Sequence, residues 1–315
     1  MLCIEIGNYH IKIGEYDKKE RLLKNKIIEK IPINCIKNGE IVDVDTLSEY
    51  INNIIEDKHI KKKNLSFSIS STDIIIREIS MPTMKEEELK NALKYEIDQY
   101  IPDIDDYVID HKILGKLTDK DKNIRVLLVA APKKIIDGYV KLSDMLHLQL
   151  DVIDVYNNCL YKALKRLCKI EGVTAVIDIG ALYTNVTILD GNNYVFGRMI
   201  LFGGNELTQI IANTYNIDIK TAEAYKSTKP FLSGTEKENI EDIIAIPLRD
   251  INRVFDFYTS THNKGIDKIY LIGGTSLLVG LSEYIEDYFK IPVITFIDDD
   301  YIYYLPILGC QIRGE

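Results

Sequence analysis

Two short segments of the chain end an apolar run in a carboxylate and place a glycine two residues later. The first contains Glu5 and Gly7, and the second contains Asp178 and Gly180. Each continues through a polar turn into another strand-like run, which predicts a strand, a tight turn and a returning strand. Glycine lets the backbone approach a phosphate closely, and successive turn N–H groups form an anion-binding concavity. The chemistry indicated is phosphate binding, with a carboxylate placed to hold a metal ion or water; a plain β-hairpin fits either segment alone.

The two segments share one spacing. A distance of 173 residues separates Glu5 from Asp178, and the same distance separates Gly7 from Gly180. A repeat of roughly half the chain predicts two similar lobes, each opening with a phosphate-type hairpin. Two such hairpins facing one cleft would grip the phosphates of a nucleotide from both sides.

A pair of glycines follows a strand nearer the C-terminus. The strand is Lys268–Ile272, and the next turn begins with Gly273 and Gly274 and continues through Thr275 to Leu277. Paired glycines between a strand and a helix let a flat ring lie against bare backbone. An ordinary strand-to-helix turn has the same pattern.

These three segments, in this order, resemble the phosphate 1, phosphate 2 and adenosine motifs of the actin-like ATPase superfamily. The chain resembles more closely the PilM family of type IV pilus assembly proteins, and this resemblance covers essentially the whole chain. Four further segments carry it: 81–89, 96–102, 203–208 and 222–226.

The resemblance implies a bound ATP with Mg²⁺ and the residues that hold them. The implied nucleotide-binding residues are Gly7, Asn8, Tyr9, Lys12, Asp178, Gly180, Ala181, Thr184, Gly204, Glu223, Lys226, Gly273, Gly274, Thr275 and Leu277. In relatives the positions of Glu223 and Lys226 contact the ribose and flank the base, although a solvated helical face is the alternative. Glu5 and Asp178 would hold the metal through water.

Several positions depart from the family pattern. Glu5 stands where the family usually has Asp, and its extra methylene would displace a metal-bound water. Asn8, Tyr9 and His10 replace small hydroxyl residues, so the turn keeps its N–H groups but loses side-chain hydroxyls near the β-phosphate. Thr275 replaces a third glycine and narrows the base slot. No catalytic base is evident, and ATP binding with slow or absent hydrolysis is expected.

Hydrophobic periodicity predicts the elements around these residues. Residues 77–147 are expected to form a small α+β subdomain with two helices on a three-stranded sheet. A capping box of Thr83 and Glu86 would start its first helix, and Pro102 would end it. A last helix, at about 306–313, is expected to cross back to the first lobe.

The predicted fold class is α/β. Lobe I spans 1–168 (1A) with the insert 77–147 (1C), and lobe II spans 169–315 (2A) with a mostly helical insert at 205–262 (2B). The resemblance identifies this arrangement with the two-lobed, duplicated ribonuclease-H-like fold of actin. The insert resembles subdomain 1C, which the PilM family shares with the division protein FtsA.

Composition excludes several classes of protein. The 315 residues carry a net charge of −9, which argues against nucleic acid as the main partner. The five cysteines are scattered and indicate reduced core residues without a zinc site. No apolar run reaches the ~18 residues of a membrane span, so no direct membrane insertion is expected. Asp298–Asp300 are adjacent and cannot all converge on a metal, which favours a solvated loop.

The chain admits three functional hypotheses. The resemblance implies a cytoplasmic adaptor that binds the N-terminal peptide of a PilN-like inner-membrane protein between 1A and 1C, at the inner face of the membrane. Pilus motor ATPases and self-association are further contacts compatible with that role. The alternatives are a small-molecule kinase, which needs a substrate-facing Asp base and usually a longer chain, and an FtsA-like filament-forming ATPase. The absence of a basic amphipathic C-terminal tail speaks against FtsA-like membrane anchoring.

Overall fold

The chain forms two compact units. The computed structural model describes residues 1–17, 19–20, 22–61, 63–98, 101, 103–116, 122–168, 170–191, 193–229, 231–232, 237–295 and 301–312. Unit 1 comprises Met1–Ile11 and Glu29–Val155, and unit 2 comprises Lys12–Ile28 and Tyr156–Glu315. The predicted lobe I included more of the chain than unit 1 does, and the predicted lobe bounds remain a prediction.

The described strands and helices occur in nearly the predicted order. The strands are β1 (Leu2–Ile6), β2 (His10–Asp17), β3 (Leu22–Lys30), β4 (Ile36–Lys37), β5 (Glu40–Ile41), β6 (Asn64–Ile69), β7 (Ile75–Pro82), β8 (Tyr107–Gly115), β9 (Asn123–Pro132), β10 (Gln149–Val155), β11 (Val173–Ile179), β12 (Thr184–Asp190), β13 (Asn193–Ile200), β14 (Lys268–Ile272) and β15 (Val293–Thr295). The helices are α1 (Val44–Asp57), α2 (Glu86–Asp98), α3 (Lys133–Met145), α4 (Tyr156–Leu167), α5 (Gly204–Tyr215), α6 (Ile219–Thr228), α7 (Lys237–His262), α8 (Leu281–Phe289) and α9 (Tyr301–Cys310).

Two five-stranded sheets repeat one topology. The first has the order β10-β6-β1-β2-β3, and the second has the order β13-β12-β11-β14-β15. In each sheet three consecutive strands lie side by side, and two later strands extend the sheet beyond the first of them. This order confirms the duplication that the spacing of the two hairpins predicted.

The strands that position the two carboxylates lie at the centres of these sheets. Every residue of β1 and of β11 is buried. Continuous apolar runs of this kind are typical of strands that are covered on both faces. The apolar run before Glu5 and the one before Asp178 therefore indicate central strands.

A three-stranded sheet, β7-β9-β8, forms the predicted small subdomain. Leu89, Leu93 and Ile97 of α2 are buried against it, with the spacing of one helical face. The predicted capping box is wrong, because the Thr83 hydroxyl donates to the Lys122 carbonyl instead. The N–H of Lys85 donates to the carboxylate of Glu88.

The second predicted helix of this subdomain packs elsewhere. Tyr139 of α3 is fully buried and meets Phe67 of β6 with ring centroids 5.0 Å apart. Gly138 lies against Ile41 of β5. The described core between α2 and the three-stranded sheet contains no residue of α3. Helix α3 instead contacts β5 and β10, and it also touches β8 and β9 of the three-stranded sheet.

The last helix begins earlier than predicted. Helix α9 begins at Tyr301 and contains Pro306 within it, whereas Pro306 was predicted as its start. It packs on α4, which lies within the predicted bounds of lobe I and within unit 2. Residues 102, 298–300 and 313, on which three predictions depend, lie outside the described residues.

Two properties of the described chain bear on its environment. None of its described helices combines the length and the hydrophobicity that crossing a bilayer requires. All five cysteines are free thiols, and only Cys168 is partly exposed.

The packing of α9 on α4 predicts a stability change. A Cβ at Gly309 would overlap the carbonyl oxygen of Cys159, and the backbone cannot yield cheaply there. Gly309→Ala should lower the free energy of unfolding by about 1–3 kcal/mol, as overpacking does. Equilibrium urea unfolding measures this change.

Gly265→Ala is the matched control, because nothing lies within 4 Å of a Cβ at that position. Its effect should stay within about 0.5 kcal/mol. Equal unfolding midpoints for the two variants would show that the close contact between the two helices contributes nothing to stability.

Candidate functional site

The turn between β11 and β12 presents backbone donors after its glycine. The N–H of Gly180 donates to the Tyr183 carbonyl at 3.0 Å and so closes the turn. The prediction was that this N–H approaches a phosphate. No described residue accepts from the N–H groups of Ala181 and Leu182, which are the next donors of the turn. The Thr184 hydroxyl donates to the Phe202 carbonyl at 2.9 Å and is buried.

The turn between β1 and β2 has the same construction within unit 1. The N–H of Gly7 donates to the His10 carbonyl at 2.9 Å. The Lys30 ammonium lies 5.2 Å from the centre of the Tyr9 ring, whose edge meets His10. Asn8 is exposed at the tip. An aromatic ring with a lysine beside it thus occupies this turn.

Polar side chains end three adjacent strands of unit 1. Glu5 of β1 is paired in register with Ser68 of β6, and Asp154 of β10 is paired with Ser68 from the other side. Glu5 is 8% exposed and Ser68 is 1% exposed. Ligands of α/β proteins bind at the carboxyl ends of parallel strands. Asp154 was not predicted, because only two apolar residues, Val152 and Ile153, precede it.

The carbonyl oxygen of Gly180 joins three motifs of unit 2. It accepts the N–H of Gly204 at 2.9 Å and the Thr275 hydroxyl at 3.1 Å. The N–H of Asn205 donates to the neighbouring Ala181 carbonyl at 2.8 Å. The first N–H groups of α5 are therefore directed to the β11–β12 turn. The diglycine turn contacts the same turn through the Thr275 hydroxyl.

Lys226 holds α5 and α6 together beneath this turn. Its ammonium donates to the Gly204 carbonyl at 3.1 Å, to Thr208 Oγ1 at 2.9 Å and to Glu223 Oε2 at 2.7 Å. The Lys226 side chain is only 12% exposed. The predicted pair Glu223 and Lys226 is thus brought together, with Thr208, one helical turn after Gly204, as the partner that sequence analysis missed.

The diglycine turn requires its first glycine. Gly273 has φ of 89°, and a Cβ there would overlap Asp178 Oδ1. A 3₁₀ turn, Gly274–Leu277, follows, and the helix α8 begins after it at Leu281, as the apolar pattern of the sequence predicts. Gly274 lies beside Tyr303, with 3.5 Å between its Cβ position and the ring. Leu277 is 37% exposed.

Asp178 is buried and has partners within unit 2. The Tyr156 hydroxyl donates to Asp178 Oδ2. Burial raises the pKa of the Asp178 carboxyl, whereas the positive charge of Lys12 and the Tyr156 hydrogen bond oppose this rise. Tyr156 was missed because no spacing in the sequence relates the start of α4 to the end of β11.

The predicted site residues are thus divided between the units. Unit 1 contains Glu5, Gly7, Asn8 and Tyr9, and unit 2 contains Lys12, Asp178, Gly180, Ala181, Thr184, Gly204, Glu223, Lys226, Gly273, Gly274, Thr275 and Leu277. Among the described residues, no group of three or more His, Cys, Asp or Glu side chains is placed to hold a metal ion. The metal assignment to Glu5 and Asp178 remains a prediction.

Comparison with known structures identifies the fold. The chain is similar to the PilM-PilN type IV pilus biogenesis complex, with a TM-score of 0.86 and 23% identity over 99% of this chain and 98% of that chain. It is similar to the ethanolamine utilization protein EutJ of Carboxydothermus hydrogenoformans, with a TM-score of 0.63 and 14% identity over 99% and 89% of the two chains. It is also similar to MreB5 of Spiroplasma citri bound to AMPPNP, with a TM-score of 0.56 and 14% identity over 98% and 94%. The predicted actin-like fold is confirmed.

The family is identified by a separate comparison. Residues 3–298 match the model of the family described as type IV pilus assembly protein PilM. Since this match covers nearly the whole chain, the protein belongs to the PilM family of type IV pilus assembly proteins.

Proposed function

We propose that this protein is a nucleotide-binding adaptor of the type IV pilus machinery, which binds the N-terminal cytoplasmic tail of a PilN-like inner-membrane protein. The observation that carries the proposal is the family match over residues 3–298. A structural neighbour at TM-score 0.86 is a PilM-PilN complex, which supports a partner of the PilN type.

The geometry of unit 2 supports a nucleotide site. The N–H groups of Ala181 and Leu182 are donors suited to a phosphate, and Gly273 keeps side-chain atoms away from the neighbouring turn. A neighbour with this fold, MreB5, was solved with AMPPNP bound. ATP fits these features, with its phosphates at the β11–β12 turn and its nucleoside towards Gly273 and Lys226.

Mg²⁺ is proposed as the companion of the bound ATP. Mg²⁺ keeps several waters and binds mainly through substrate phosphates, with one or two carboxylates. It would neutralise phosphate charge. Because the sequence shows no clear general base, we expect hydrolysis to be slow, and an adaptor does not require turnover.

Unit 1 offers a seam for the peptide. Helix α3 contacts β5, β8 and β9, and β8 is an edge strand of its sheet. Three valines on or next to these elements are exposed: Val42 by 52%, Val108 by 41% and Val140 by 39%. An extended peptide can add to such an edge, with main-chain hydrogen bonds for affinity and apolar contacts for register. The contact would hold the protein at the inner face of the cytoplasmic membrane.

The nucleotide site predicts the effect of one added methyl group. A Cβ at Gly204 would lie 2.5 Å from Thr275 Oγ1 and 3.0 Å from Lys226 Nζ. Gly204→Ala should therefore displace the Thr275 hydroxyl from the Gly180 carbonyl and the Lys226 ammonium from the Gly204 carbonyl. We expect about tenfold weaker ATP binding by calorimetry, equivalent to about 1.4 kcal/mol.

Gly265→Ala serves as the control and should bind ATP like the wild type, because its Cβ meets open space. Absence of wild-type binding at millimolar ATP would mean that the site is vestigial. Equal affinity of both variants would show that Gly204 does not shape it.

The peptide seam is tested by point changes. Deleting 77–147 would remove α3 with its buried Tyr139, so a deletion cannot separate binding from folding. Val108→Asp and Val140→Asp should each weaken binding of a synthetic PilN-like N-terminal peptide by about tenfold, because each puts a charge into an apolar contact. Fluorescence anisotropy measures the affinity.

Val279→Asp is the matched change on unit 2, where the valine is 46% exposed, and it should leave peptide affinity unchanged. If both unit 1 variants bind the peptide like the wild type, the seam is not its site.

A further inference from the structure

The carboxylate of Asp178 is enclosed by protein on both of its oxygen atoms. Oδ2 accepts the hydroxyl of Tyr156, the first residue of α4, and Oδ1 lies against the backbone of Gly273. Asp178 is 9% exposed and Tyr156 is 3% exposed. A ligand that approaches Oδ2 must therefore compete with the Tyr156 hydroxyl for that oxygen.

The negative charge of Asp178 is also offset within unit 2. Lys12 on β2 opposes the rise in the pKa of this carboxyl that burial causes, and the Tyr156 hydroxyl acts in the same direction. A buried carboxylate persists when it is paired and hydrogen-bonded. Asp178 meets these requirements without a metal ion.

The start of α4 is fastened at a second point. Asn157 donates through Nδ2 to Thr187 Oγ1 of β12 at 3.0 Å. Gly197 of β13 leaves room for that side-chain amide, because a Cβ at this position would overlap it. Adjacent residues of α4 thus attach to adjacent strands, Tyr156 to β11 and Asn157 to β12, which fixes the direction in which the tyrosine hydroxyl points.

We propose that Asp178 is a tether for helix α4 through the Tyr156 hydroxyl, and not a ligand of the divalent cation that accompanies the nucleotide. The inference rests on the proposed nucleotide site, and it gives Asp178 a role other than the water-mediated contact with a metal ion that the sequence predicts. Mg²⁺ demands nearly octahedral oxygen ligands, and a direct bond to Oδ2 would compete with the Tyr156 hydroxyl for that oxygen. Tyr156 is a positioning residue that keeps the carboxylate directed to α4.

The test compares ADP affinity in Mg²⁺ with ADP affinity in EDTA, by calorimetry on the full chain. Asp178→Asn keeps an oxygen acceptor for Tyr156 and removes the charge, so the ratio of the two affinities should stay within about twofold of the wild type. Tyr156→Phe releases the carboxylate, and the ratio should rise about tenfold. Adding Asp178→Asn to Tyr156→Phe should abolish that rise, a response that loss of packing alone does not give.

Thermal unfolding reports the tether without any nucleotide. Asp178→Ala and Tyr156→Phe should both lower Tm, whereas Asp178→Asn should keep it close to the wild-type value. Tyr95→Phe removes a hydroxyl from a side chain that is 77% exposed and should leave both Tm and the affinity ratio unchanged.

Two results would overturn the inference. The first is a loss of the Mg²⁺ effect in Asp178→Asn with Tyr156 intact, which would make Asp178 a metal ligand. The second is an equal fall in Tm for Asp178→Asn and Asp178→Ala, which would remove the tether. If the wild type binds no ADP at millimolar concentration, the nucleotide function fails, and the Tm comparison still decides whether Asp178 holds α4.

Discussion

The carbonyl oxygen of Gly180 is the acceptor on which the geometry of unit 2 depends. It receives the first N–H of α5 and the Thr275 hydroxyl, so one atom aligns a hairpin turn, a helix start and the diglycine turn. The Lys226 ammonium also donates a hydrogen bond to the carbonyl of Gly204. Because Gly204 and Gly273 have no side chain, these backbones come close enough for the bonds to form. A shift of any one turn would move all three.

The energetics of this arrangement are those of buried polar groups. A hydrogen bond adds only about 0.5–1.5 kcal/mol net, but stranding a buried partner costs about 1–3 kcal/mol. Thr275 is 6% exposed. Its hydrogen bond therefore adds little to the stability of the fold, whereas leaving its buried hydroxyl without a partner would cost more. The same asymmetry applies to Tyr156 and Asp178. Such groups select one arrangement of the turns more than they add to total stability.

Local patterns in the sequence were enough to predict the two hairpins, but not the contacts between distant segments. The shared spacing of Glu5 with Gly7 and Asp178 with Gly180 indicated equivalent turns, and both turns form with the same glycine hydrogen bond. Nothing local relates Tyr156 to Asp178 or turns Tyr139 towards Phe67, because these contacts are decided by tertiary packing. Pro306 misled the prediction because proline is typical of a helix start, whereas here it lies inside α9.

The burial of α9 has a consequence for synthesis of the chain. Ile307 of this helix packs on Gly14 of the β2–β3 hairpin, and the Lys26 ammonium lies 5.8 Å from the Tyr304 ring. The hairpin leaves the ribosome long before α9, because α9 lies far after it along the chain. Contacts so distant along the chain form late, since closing a long loop costs entropy before the contact repays it. Until α9 has been synthesised, the apolar side of the hairpin lacks its cover, and it is a surface that a chaperone of the nascent chain can bind.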